Sequence, residues 1–173
     1  MKSVLGVDIG GVIIDRVNDN TDTAFFGNNY LKTTAVPDVF EVLTRLARGP
    51  FLGNLHLVSK CGQKVQDKSM HWLRHHRFFE LTGMPETSVH FCRERHEKAP
   101  ICRDLGITHF VDDRLEVLGH LIDIVPNLFL FRPQEKEKQK FQHWWYRVEE
   151  FDQWIQIEAA LLSQIKKGVP SCQ

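Results

Sequence analysis

Asp8 closes the apolar run Val4-Leu5-Gly6-Val7, and Gly10 and Gly11 follow it after a single Ile9. A buried strand that ends in Asp-x-Gly-Gly presents a charge where the backbone can approach a ligand closely. Three later signals carry related chemistry. Ser59 ends Leu55-His56-Leu57-Val58, Lys98 stands where Glu97-Lys98-Ala99-Pro100 opens a helix, and Asp112-Asp113 ends Thr108-His109-Phe110-Val111. In open α/β sheets the carboxyl ends of the strands share one edge, so these groups are expected to converge. The set suits magnesium-assisted phosphoryl transfer. Mg²⁺ takes oxygen ligands and keeps several waters. Asp8, Asp112 and the carbonyl of Gly10 are the expected ligands, with Asp113 in support. Ser59 and the backbone N–H groups from Gly11 onward would meet phosphate oxygens. Lys98 would offset phosphate charge and position the nucleophile. Asp8 would attack phosphorus to form an aspartyl-phosphate, a known mode of carboxylate catalysis. Cations are needed because carboxylate and phosphate repel each other.

The elements that must position these groups are legible in the apolar pattern. Residues 3–8 read as a central strand, Gly10-Gly11 as a turn, and Val12-Ile13-Ile14 as continued extended chain. Residues 15–36 are polar and turn-rich (Asn18-Asp19-Asn20, Gly27-Asn28-Asn29), interrupted by Phe25-Phe26, and read as a flap. Pro37 opens a helix with Val39, Phe40, Leu43, Leu46 and Ala47 on one face, and Gly49-Pro50 stops it. Further strands are expected at 55–58, 88–92, 108–111 and 128–131. Helices are expected across 63–76, 78–83, from 97 to Gly106, and over 115–122. Strand–helix alternation predicts an α/β fold: a Rossmann-like, doubly wound parallel sheet of about five strands flanked by helices. Phe141, Trp144, Trp145 and Val148, then Trp154, Ile155, Leu161 and Leu162, predict a C-terminal helical extension, a helix pair over 134–165. Residues 168–173 are expected to fray. The whole chain, 1–173, reads as one domain.

Taken in order, these motifs resemble those of the haloacid dehalogenase (HAD) superfamily, whose members are mostly Mg²⁺-dependent phosphatases. The resemblance spans about residues 3–131. Val7-Asp8-Ile9-Gly10-Gly11-Val12 matches the first motif, Leu57-Val58-Ser59 the second, Lys98 the third and Phe110-Val111-Asp112-Asp113-Arg114 the fourth. The Asp-Asp-Arg ending is similar to that of the family's 5′-nucleotidase-like branch. The resemblance implies a phosphomonoester hydrolase working through Asp8. One departure matters. The family's usual first motif has a second Asp two residues after the nucleophile, which protonates the leaving group and later activates water. Here that position is Gly10. Its carbonyl can still face a metal, but it can transfer no proton. General acid–base catalysis is typically worth ~10²–10⁴-fold, so the change predicts a slow enzyme, one restricted to good leaving groups, or an impaired domain that binds metal or a phosphorylated partner. The family's cap insertion points fall at residues 15–36 and roughly 61–87, too short for a large cap. A minimally capped member would accept bulky substrates, small-molecule or macromolecular, or borrow a lid from a neighbouring subunit in an oligomer.

Composition bounds the alternatives. Hydrophobic residues make up 42% and charged residues 25% of 173, as in ordinary globular proteins. Twenty-two basic residues balance 22 acidic ones, which gives no sign of a dedicated nucleic-acid surface. The chain has no ~20-residue apolar run that could span a bilayer, and no signal peptide is evident, so a cytoplasmic location is expected. Cys61, Cys92, Cys102 and Cys172 form no CxxC and read as reduced thiols; Cys92, His96 and Cys102 lack a second cluster to complete a zinc site. His71 and His75 have metal-pair spacing without the HExxH glutamate and read as surface residues. Lys60 reads as surface, and Trp144-Trp145 as core or helix packing rather than a base-stacking platform. The Asp-x-Gly-Gly start also resembles the phosphate loop of actin-like sugar kinases. Val12 stands where those have Thr, and their fold needs two domains and a much longer chain.

Overall fold

The computed structural model describes residues 2–16 and 27–167. Asn18-Asp19-Asn20, Phe25-Phe26, Cys172 and the expected fraying over 168–173 lie outside these residues.

Six parallel strands form one sheet. They are β1 (Leu5–Val7), β2 (Leu55–Lys60), β3 (Val89–Cys92), β4 (His109–Asp112), β5 (Asn127–Phe131) and β6 (Glu149–Phe151), in the spatial order β3-β2-β1-β4-β5-β6. Leu5 pairs with Leu55 on one side and His109 on the other, and Val7 with Leu57 and Val111. The order runs outward in both directions from β1 and β4, which is the doubly wound arrangement. Side chains alternate between the two faces, as the strand period requires. Leu5, Val7, Leu57, Val111, Phe129 and Phe131 enter one core with α1 (Val39–Arg48), α2 (Gln63–His75), α3 (Phe78–Thr82) and α7 (Trp154–Lys167). Val58, Phe110, Leu128 and Leu130 enter the other with α4 (Lys98–Asp104) and α5 (Leu115–Leu121). Helix α1 shows why the pattern was readable: Val39, Val42, Leu43, Leu46 and Ala47 are all buried, at helical spacing. Helices α2 and α3, within residues 61–87, bury Trp72, Leu73 and Phe78 in the core.

Two expectations need correction. Val12 and Ile13 do not extend β1. The amides of Val12, Ile13 and Ile14 all donate to the carbonyl of Ile9, forming a tight turn, and only Ile14 resumes pairing, through bridges to Gly10 and Ala35. The C-terminal third is also not a simple helix pair. It comprises α6 (Glu135–Lys140), a 3₁₀ segment over Gln142–Arg147, strand β6 and then α7. Glu149-Glu150-Phe151 is short and charged, with both glutamates exposed, as suits an edge strand but hides any period-two signal. Trp144 packs where expected, stacked on Phe141 and pressed against Gly119 so closely that a Cβ there would overlap its ring. Trp145 is 49% exposed, with the Lys138 ammonium 4.3 Å from its ring centroid.

Candidate active site

Asp8 is the first residue after β1, and its N–H donates to the Val111 carbonyl (3.0 Å). That bond pins it beside Asp112, the last residue of β4. The two carboxylates therefore sit at the carboxyl ends of the central strands, at the point where the sheet reverses its winding. Between them lies Lys98, whose Nζ is 2.8 Å from Asp8 Oδ1 and 2.8 Å from Asp112 Oδ2. Lys98 is only 1% exposed, so both ion pairs are removed from solvent screening. The adjacent Glu97 faces elsewhere. Its side chain accepts from the amides of Arg93 and Glu94 in a capping box that fixes the 3₁₀ turn at Arg95–Glu97, and this turn feeds Lys98 into the site.

Asp112 is held on two sides: Oδ2 takes Lys98, and Oδ1 accepts the Arg114 N–H at 3.0 Å. Asp113 points back to the turn after β1 and is ion-paired with Arg16. Asp8, Asp112 and Asp113 each offer an oxygen within 4.8 Å of the others. Burial raises the Asp112 carboxyl above the usual carboxylate range, reinforced by Asp8 and Asp113 and opposed by Lys98. Burial and Asp8 do the same to Asp113, with Arg16 opposing. Burial would lower the Lys98 pKa, but the charges of Asp112 and Asp8 outweigh it and keep the ammonium charged. The three carboxylates thus form direct ion pairs with two cations, Lys98 and Arg16, and a divalent ion would add to that compensation. An all-oxygen donor set fits a hard ion such as Mg²⁺ better than a thiophilic one.

The glycine turn is shaped by its neighbours. Gly11 has φ +78°, and a Cβ there would lie 2.6 Å from Asp113 Oδ2, so a side chain is excluded on both counts. Its N–H donates to the Ile14 carbonyl (2.8 Å) and so closes the turn instead of pointing to a ligand. Gly10 has no such constraint, since a Cβ there meets nothing within 4 Å. Ser59 is buried on β2, and among the described residues its hydroxyl bonds neither Asp8, Lys98 nor Asp112. Asp8, Lys98 and Asp112 are thus brought into contact, while Ser59 is placed on the neighbouring strand without a hydrogen bond to them.

A cleft of about 310 Å³ opens over the cluster. Asp8, Lys98 and Asp112 form part of its wall, with Lys60, Cys61, Gly62, Arg95 and Arg114 around them. A second cleft of about 190 Å³ adjoins it at Lys60 and Arg95 and is lined also by Glu94, His96, Glu116 and His120. Arg95 is tied to Glu116 (2.6 Å). Lys60, read from sequence as a surface residue, therefore borders the site. So does Arg114, within the Asp-Asp-Arg motif. Two further contributors carried no clear sequence signal. Arg16 neutralises Asp113, and the Trp154 indole donates to the Val12 carbonyl (2.9 Å), tying α7 to the turn that follows Asp8.

The other candidate ligands do not assemble. Among the described residues only the three aspartates form a potential metal group. His71 Nδ1 hydrogen-bonds the Tyr30 hydroxyl (2.7 Å), and Cys61, Cys92 and Cys102 are buried free thiols. Among the described residues no helix is long and apolar enough to cross a membrane.

No protein-family profile matches the chain, and no curated protein matches it. Solved structures do. D,D-heptose 1,7-bisphosphate phosphatase from B. bronchiseptica, determined with magnesium and phosphate, superposes with a TM-score of 0.62 at 13% identity, covering 95% of this chain and 99% of that one. The D,D-heptose 1,7-bisphosphate phosphatase from Burkholderia thailandensis gives 0.54 at 14% identity, covering 94% and 99%. At such identities the likeness is one of fold, and it extends over nearly the full length of both chains.

Proposed function

We propose that the chain is a Mg²⁺-dependent phosphohydrolase of the HAD type, with Asp8 as nucleophile. The observation that carries this reading is the meeting of Asp8, Lys98 and Asp112 at the switch point of a doubly wound sheet, under a cleft rimmed by Lys60, Arg95 and Arg114. The fold shared with two phosphatases, one solved with magnesium and phosphate, supports it. Asp8, Asp112 and the Gly10 carbonyl would hold the metal, with Asp113 shaping the site through Arg16. When bound, the ion would supply charge neutralisation that lets an anionic nucleophile meet an anionic phosphate. Lys98 aims Asp8, and the charges of Asp112 and Asp8 keep Lys98 an ammonium despite its burial. Ser59 and the basic rim receive the phosphoryl oxygens, and Gly11 provides the turn that brings backbone close. The substrate is a phosphorylated small molecule or macromolecule reaching a thinly covered cleft.

Hydrolysis of p-nitrophenyl phosphate, measured with and without Mg²⁺ for wild type and Asp8→Asn, tests this directly. Metal-dependent release of phosphate that the substitution abolishes is expected. Equal release by the variant would reject Asp8 as nucleophile. Gly10 favours a second reading, in which the domain binds metal or a phosphorylated partner without turnover. Mg²⁺ binding with no release from any donor would select it.

A further inference from the structure

We propose that the donors this site uses are acyl phosphates, and that Asp8 retains the phosphoryl group long enough for the phosphoprotein to accumulate. The proposal rests on the assignment of Asp8 as nucleophile.

The two half-reactions make different demands. In the first, an Asp8 carboxylate oxygen forms a bond to phosphorus while the bond from phosphorus to the leaving oxygen breaks. An alkoxide leaving group is a strong base and must gain a proton as it departs. A carboxylate leaving group, released from an acyl phosphate, departs as a stable anion and needs none. In the second half-reaction water bonds to phosphorus, the Asp8 carboxylate departs, and the water must give up a proton to a base.

The cleft provides for the first demand only with acyl donors and provides little for the second. Position 10, two residues beyond the nucleophile, is glycine, and the space beside it is open rather than filled by a substitute side chain. The other described titratable groups lining the cleft are committed. Lys98 is locked between two carboxylates, and Asp112 is bonded to Lys98 and to the Arg114 amide. Arg95 is bound to Glu116, and the side chains of Lys60 and Arg114 offer hydrogen-bond donors with no acceptor. The Cys61 thiol is pushed up to about 11 by burial and stays protonated. His96 and His120 belong to the adjoining cleft. A nucleophile held by Lys98, with no proton shuttle among the described residues lining its cleft, is built to accept a phosphoryl group more readily than to release it.

The test incubates the full chain with Mg²⁺ and either acetyl phosphate or glycerol phosphate. Intact-mass analysis follows phosphoprotein, and a colorimetric assay follows phosphate release. With acetyl phosphate, wild type is expected to show a stable mass gain of one phosphoryl group that Asp8→Asn lacks. With glycerol phosphate, turnover is expected to be at least ~10²-fold slower, the scale of a missing general acid. Gly10→Asp, which the open space admits, is expected to deplete the phosphoprotein and raise glycerol phosphate turnover by ~10²-fold. Equal Asp8-dependent rates on both donors with no trapped phosphoprotein would overturn the proposal and leave the phosphohydrolase reading standing. No mass gain and no phosphate release from either donor, in wild type and Gly10→Asp alike, would overturn both.

Discussion

Replacing Lys98 with methionine isolates the interaction on which the site is built. The substitution keeps an unbranched apolar stem and removes a buried ammonium that contacts Asp8 and Asp112 at 2.8 Å each. Removing one partner of a buried ion pair typically costs about 3–5 kcal/mol, because the remaining charge loses its compensation. Here two carboxylates lose it together, and Asp113 adds to the same negative field. For a chain of this size that corresponds to a fall in Tm of roughly 6–20 °C. The deficit has a defined pH sense. Without Lys98, which opposes the upward shift of the buried Asp112 carboxyl, that group titrates further above its unfolded value, so the native state binds more protons than the unfolded state across that window. Stability then falls as pH rises through the window and recovers on acidification. Two additions sharpen the test. Lys98→Met/Asp112→Asn should be less destabilised than Lys98→Met alone, since the second change removes a charge the first has orphaned. Mg²⁺ should raise the Tm of Lys98→Met more than that of wild type, since the ion replaces the missing positive charge. Urea and thermal unfolding read all three proteins. A loss below about 1 kcal/mol, unaffected by the second substitution or by Mg²⁺, would refute the premise that Lys98 is the counterion of a buried acidic pair.

Two further predictions concern neighbouring structure. Trp154→Phe retains the aromatic packing of α7 but leaves the buried Val12 carbonyl without its donor, and should cost about 1–3 kcal/mol in urea unfolding; no change would mean the turn after Asp8 does not depend on α7. His109 is buried against Phe51 and Phe129, and burial lowers its pKa to about 4. The unfolded chain therefore binds a proton that the native state refuses between roughly pH 6.5 and 4, and stability is lost as pH falls through that window. His109→Gln should flatten this acid limb in a pH series of Tm values, and an unchanged limb would place the acid sensitivity elsewhere.

The sequence was most readable where one periodicity dominated. Helix α1 and strands β1, β4 and β5 were evident because a buried helical face or a nearly fully buried strand leaves a strong apolar signature. β6 left none, because an edge strand is stabilised by pairing with β5 and can carry Glu149 and Glu150 outward. The same limit explains Trp145, whose spacing matched a buried helical face although the chain there is a 3₁₀ turn that exposes it. Within the site, residue types revealed the participants but not their hydrogen bonds. Lys98 was legible by type, but the capping box through which Glu97 feeds it into the site was not. Gly11 was expected to offer its N–H to phosphate, yet the Ile14 carbonyl takes it. Arg16 could not be foreseen as the partner of Asp113, because the pair is formed across 97 positions.

What makes the distant motifs one site is strand order. Asp8 and Asp112 each end a strand, and a carboxylate at a strand end is ordinary in itself. They meet because β4, after the chain has built β2 and β3 on one side of β1, returns to pair with β1 on the other, placing Val7 opposite Val111. At that reversal the crossover helices leave on opposite faces and open a crevice above the two central strands. Helix α4, which precedes β4, then delivers Lys98 to the same point. Had β4 joined the sheet beside β3, the same residues would lie three strand spacings apart, about 14 Å at the usual strand spacing. No ammonium could then touch both carboxylates. The winding order and the burial of Lys98 are in this sense one fact: a cation excluded from water is tolerable only where the topology supplies two anions at once.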